Sequence, residues 1–184
     1  MTEASTEAPA FVFAGYFAKR VTPRPDWLAV PHIRDIWSVS NCMAKGPEDW
    51  IDSWRHNTST WLFDTPELAA SVVPPDERVA FAIVAYRFWA PVFDQGEEFD
   101  LDDDLPTLPP PDDSFESLGF DAVGRGPSSF TCSPLSCNHA ATTFQANEHC
   151  LFGTLEEALA GAKAFSTGDW EPGPYYIVEV LRQR

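Results

Sequence analysis

Three of the chain's four cysteines and two of its four histidines fall in one stretch, FTCSPLSCNHAATTFQANEHC, from Phe130 to Cys150. Thiolate sulfur and imidazole nitrogen are the donors zinc prefers, so Cys132, Cys137, His139, His149 and Cys150 form a candidate ligand set. Their spacing argues against a common zinc module. No Cys-x2-Cys pair occurs, and Cys-x4-Cys-x-His fits neither a ribbon nor a finger. The nucleobase-deaminase signature is also absent. A second chemistry is nucleophilic. The Ser-Pro-Leu-Ser loop would feed a helix beginning near Asn138, placing Cys137 at a helix N-terminus that lowers thiol pKa, with His149 as base. The third reading, which the pattern favours, is packing. Cysteines behave as small, buried hydrophobes; Ser133 and Ser136 would bond to backbone in a turn, Asn138 would cap a helix, and Cys150 would pack in a strand with Leu151 and Phe152.

The segment SVSNC (Ser38–Cys42) resembles SPLSCN (Ser133–Asn138) in composition. If the chain holds two related halves, these loops would face each other. WLFDTPELAA (Trp61–Ala70) also lines up with CLFGTLEEAL (Cys150–Leu159), each leading into a helix and then a strong strand. Thr caps and early glutamates recur for helix-start reasons alone, so this likeness has a local explanation too.

Charge is the strongest global signal. The formal net charge is −16 at pH 7. Residues 1–92 carry 8 Lys/Arg against 11 Asp/Glu, whereas residues 93–184 carry 4 against 17. Such a field repels phosphate, which argues against direct nucleic-acid binding and favours a protein partner with a basic surface. Asp100, Asp102, Asp103 and Asp104 are the candidate binding face. A calcium loop is not encoded there: the positions needing glycine and glutamate hold Leu105 and Pro111. Phosphate-loop, nucleophile-elbow and His-Glu-x-x-His signatures are absent as well. The leading expectation is therefore a small acidic cytosolic interaction protein of inhibitor or immunity type, with no cofactor and not an enzyme. The alternative is a thiol- or metal-dependent enzyme, with zinc as the metal, centred on Cys132–Cys150.

These groups need elements to position them. Residues 1–10 read as a disordered tail without a signal-peptide pattern, and no apolar run is long enough to span a bilayer. The expected address is the cytoplasm, where thiols stay reduced. FVFAGYFAKR predicts a buried strand with a bulge at Gly15. IRDIWSVS reads as a strand, and GPEDWIDSWRHN as a helix placing Trp50 and Trp54 on one face. With Trp61, His56 and Asn57 those tryptophans could line a stacking pocket, though Trp at helical spacing is more often core. Arg78–Phe93 predicts a central strand, and Thr154 with Glu157 forms a capping box for a helix to Phe165. Tyr175–Leu181 ends the fold as a strand. Residues 94–114, rich in acid and proline, read as an exposed loop.

FAGYFAKR, SVSNC, GFDAV, CSPLSCN and PGPYYIVEV together resemble an uncharacterised bacterial protein family over nearly the whole chain. The resemblance implies a bacterial origin and brings no fold, activity or ligand. The expected architecture is a single α+β domain over 11–184, with a mixed or antiparallel sheet of five or six strands and three or four helices. A division into two pseudo-repeated strand–helix–strand halves is the further option.

Overall fold

The computed structural model describes residues 10–40, 42–43, 46, 62–126 and 130–184. The elements in chain order are β1 (Phe11–Arg20), β2 (Thr22–Pro23), β3 (Asp35–Ile36), α1 (Pro66–Ser71), β4 (Phe81–Asp94), β5 (Glu97–Phe99), β6 (Phe115–Gly124), α2 (Pro134–Cys137), α3 (Leu155–Thr167) and β7 (Tyr175–Gln183). The α+β class holds. Five strands form one antiparallel sheet in the order β1-β4-β7-β6, with β5 on β4, and β2 and β3 make a second, two-stranded sheet. The long apolar run from Arg78 does form an interior strand, beginning at Phe81 after a 3-10 turn over Arg78–Ala80. IRDIWSVS is a strand only at Asp35–Ile36. Residues 1–9 of the expected tail, the Trp50/Trp54 helix with His56 and Asn57, and Trp61 lie outside the described residues.

The register of the main sheet repeats itself. β1 pairs with β4 as Gly15↔Tyr86, Tyr16↔Ala85 and Phe17↔Val84. β6 pairs with β7 as Gly119↔Val180, Phe120↔Glu179 and Asp121↔Val178. Adding 104 to a β1 position (15 to 119) and 94 to its β4 partner (86 to 180) converts every pair of the first set into one of the second. Between the central strands, Tyr86 pairs with its own counterpart Val180. A pseudo-two-fold axis therefore passes through that pair, perpendicular to the sheet. The loops obey it too: Phe63 bridges Tyr16, and Phe152 bridges Phe120. The LF-x-T likeness seen in the sequence thus marks the same place in two halves.

The bulges carry the same imprint. Both strands shift register before their glycines, and Gly15 and Gly119 adopt φ of 141° and 132°. A Cβ on Gly15 would lie 2.7 Å from the Phe63 carbonyl oxygen, and one on Gly119 would lie 2.5 Å from that of Phe152. Only glycine permits both the backbone conformation and this approach.

Alternation along the strands separates two faces. On one, the α3 residue Phe165 meets Tyr175 with ring centroids 5.8 Å apart, and α1 shares a cavity with Phe81 and Ile83 of β4. Each helix starts at a threonine cap, Thr65 or Thr154, and α3 has its full capping box with Glu157. On the other face, Phe88 stacks on Phe130 at 5.3 Å, and Arg182 lies over Trp37 at 5.7 Å. Among the described residues, that face is covered by loops and the short α2, and Cys42, Cys132 and Cys137 lie there.

The acidic stretch is more ordered than its composition suggests. Gln95 and Gly96, with φ of 49° and 83°, turn β4 back into β5 as a two-residue hairpin. Leu105 is then buried, and the Leu108 N–H donates to the Phe13 carbonyl at 2.9 Å. The segment is a strap with two apolar anchors, not a free loop.

Equivalent bulges should be equally intolerant. Gly15→Ala and Gly119→Ala are each expected to destabilise the chain by about 2–4 kcal/mol from strain and overpacking. Urea unfolding midpoints check this, and a loss at one site only would break the structural equivalence.

A candidate thiol centre

Cys42, Cys132 and Cys137 bring their sulfur atoms together, all within 4.8 Å of one another. Two of these belong to the stretch singled out by sequence; the third comes from the SVSNC loop. That loop and SPLSC share the spacing Ser-x3-Cys, and they do face each other. The cysteines grade from exposed Cys42 through partly buried Cys137 to buried Cys132.

One carboxylate holds the two loops together. Asp121, on β6, is fully buried and accepts three hydrogen bonds. Ser38 Oγ donates at 2.6 Å and the Val39 N–H at 3.2 Å, both from the first loop. Ser133 Oγ donates at 2.6 Å from the second. Burial lifts the Asp121 carboxyl above its ordinary range, opposed by the donors of Ser133, Ser38 and Val39. A buried acid without such donors would be costly, so the arrangement binds loop position to carboxylate solvation.

The network continues to sulfur. The Ser40 N–H donates to Ser38 Oγ at 3.0 Å, and the Ser40 hydroxyl lies 3.6 Å from Cys137 Sγ. Ser136 Oγ is 3.7 Å from the same sulfur. With hydrogen bonding from Cys132 as the largest influence, the Cys137 thiol is drawn down to about 5, although burial opposes this. Cys132 is pushed up, chiefly by its hydrogen bond to Cys137, and Cys42 is raised by burial. The Cys132 thiol also donates to Asn138 Oδ1 at 3.4 Å, and Cys42 to the Thr131 carbonyl at 3.7 Å.

Lys19 supports the first loop from below. It is fully buried on β1, and its Nζ donates to the Met43 carbonyl at 3.0 Å, next to Cys42. Burial brings its pKa down to about 7, with Asp121 and Asp35 resisting.

The other sequence candidates separate from this centre. The helix expected near Asn138 instead ends at Cys137, having started at Pro134 after its proline-compatible cap, Ser133. Hydrogen bonds rather than a helix N-terminus therefore act on the Cys137 sulfur. Ser133 and Ser136 turn their hydroxyls to Asp121 and Cys137, not to a local turn backbone. His149 does not face Cys137 as a base: its Nδ1 is 2.7 Å from Asp35 Oδ1, and its ring stands edge-on to Trp37. His139 packs against Trp27 with centroids 4.9 Å apart. Neither histidine belongs to the sulfur group. Cys150 is fully buried, with burial pushing its thiol up to about 12, but it lies at a bend with φ of 57° and not in the expected strand. The five-ligand set thus splits, with Cys132 and Cys137 retained, Cys42 added, and His139, His149 and Cys150 elsewhere.

The acidic candidates are partly engaged within the chain. Asp102 accepts from Arg125 and from the Tyr176 hydroxyl, and Asp104 pairs with Arg125 at 3.2 Å. Asp100 and Asp103 are exposed. Among the described residues, no helix is long and apolar enough to cross a membrane.

Comparison of the chain with family models, with curated proteins and with solved structures finds no match.

Asp121→Ala should cost about 3–5 kcal/mol in chemical denaturation, because it strands two hydroxyls and an N–H from separate loops. Ser38→Ala and Ser133→Ala should each cost about 1–3 kcal/mol. Additive losses in the double serine variant would argue against a shared clamp, since partners of one carboxylate should be coupled.

Proposed function

We propose that the chain acts through a sulfur centre made of Cys42, Cys132 and Cys137, as a small thiol- or metal-dependent protein. The observation that carries this reading is the convergence of three thiols from two loops about ninety residues apart in sequence. A packed core gains nothing from gathering sulfur: each thiol would bury as well beside leucine, as Cys150 does near Leu135 and Phe152. The clamp on Asp121 fixes both loops, and hydroxyls from Ser40 and Ser136 reach the central sulfur. Polar groups placed around a thiol in this way suit chemistry at sulfur better than core packing. The exposed Cys42 supplies the way in.

An acidic face meeting a basic partner is the weaker reading. Asp102 and Asp104 are engaged by Arg125, and Asp102 also by the Tyr176 hydroxyl, so two of the four candidate carboxylates are already held within the chain. Reduced, working thiols fit a cytoplasmic setting.

Phenylarsine oxide, which bridges neighbouring thiols, tests the centre directly. One equivalent per native, reduced chain should bind and block subsequent alkylation of Cys42. The double variant Cys132→Ala/Cys137→Ala, which leaves Cys42 without a neighbouring thiol from this group, should reduce that capture at least tenfold, and Cys150→Ala should leave it unchanged. Arsenical binding equal in wild type and in that double variant would overturn the proposal.

A further inference from the structure

The three sulfurs also have the composition and spacing of a metal site. Soft ions such as zinc and monovalent copper bind thiolate at about 2.3 Å, which places three ligand sulfurs roughly 4 Å apart. The observed triangle lies within 4.8 Å, so side-chain adjustment of less than about 1 Å closes it on an ion. The donor set contains sulfur alone; among the described residues no imidazole or carboxylate joins it. Hard cations, which require oxygen, are poor occupants. A structural zinc site is normally closed by four protein ligands, whereas three ligands leave a position open.

We propose that Cys42, Cys132 and Cys137 bind one thiophilic d10 metal ion, zinc or monovalent copper, through three thiolates. This rests on the sulfur centre proposed above and names its ligand. The site is preformed. Asp121 ties the Ser38–Val39 and Ser133 segments together, and Lys19 holds Met43, without any contribution from an ion. The metal-free chain should therefore remain folded, unlike small domains that fold only around zinc. Ser40 and Ser136, beside the Cys137 sulfur, are placed to hydrogen-bond a bound thiolate and tune the ion it holds. On binding, the thiol protons leave to solvent and no redox change occurs.

The test uses the full reduced chain, stripped of metal and kept anaerobic. It is titrated separately with zinc and with monovalent copper, with stoichiometry read by native mass spectrometry. Sulfur-to-copper absorption in the ultraviolet and a competing chromophoric chelator for zinc report affinity. One equivalent of either ion is expected, and the preferred ion identifies the source. Cys42→Ser, Cys132→Ser and Cys137→Ser should each weaken binding by about 100-fold or more, while Cys150→Ala keeps wild-type affinity; circular dichroism should show each variant folded. Failure of wild type to hold either ion overturns the metal assignment, as does equal binding by Cys137→Ser. If phenylarsine oxide is still captured in that case, the sulfur centre stands without a metal; if it is not, both readings fall together.

Discussion

A single buried carboxylate organises the loop-covered face. Asp121 sits on β6 with no access to water, so both of its oxygens must find donors in the protein. Those donors come from residues 38–39 and 133, segments that no strand pairing joins directly. Satisfying the acid therefore fixes the distance between two loops. The cysteines four residues beyond Ser38 and Ser133 are carried into contact as a result. The sulfur centre is a geometric consequence of solvating one charge.

Lys19 completes the electrostatics from the opposite edge of the sheet. A buried lysine is expensive unless paired or hydrogen-bonded. Here its contact with Met43 anchors the chain just past Cys42. Asp121 and Lys19 lie under the same loop, Asp121 gripping it at Ser38 and Val39 and Lys19 at Met43. The two strands that supply them, β1 and β6, are the outer strands of the main path of the sheet, joined only through β4 and β7. Sheet stability and loop placement are thereby coupled.

Much of the scaffold was legible because its signals are local. Gly15 at the bulge, the Thr154–Glu157 box and the apolar run through Phe93 depend on backbone sterics, capping and burial within a few residues. The Gln95–Gly96 hairpin was missed because acid and proline dominate that segment's composition, though the glycine at a turn was a usable cue. The site was half legible. Cys132 and Cys137 stand out by proximity, but Cys42 reaches them only through the tertiary clamp. Asp121 was hidden among the acids counted as surface charge, and nothing local distinguishes a buried aspartate from a solvated one. The Ser-x3-Cys spacing shared by SVSNC and SPLSC was the one cue linking both loops, and it acquires meaning only with the sheet's repeated register.

That register is shared by both halves, but their chemistry is not. The position related to Asp121 is Phe17, and the one related to Lys19 is Val123. A symmetric dimer of either half would carry two such acids or none, and could not centre one carboxylate between two equivalent loops. Joining unequal halves in one chain removes that restriction. It allows a pseudo-symmetric sheet to carry a single site, with one copy of the loop on each side and one acid between them.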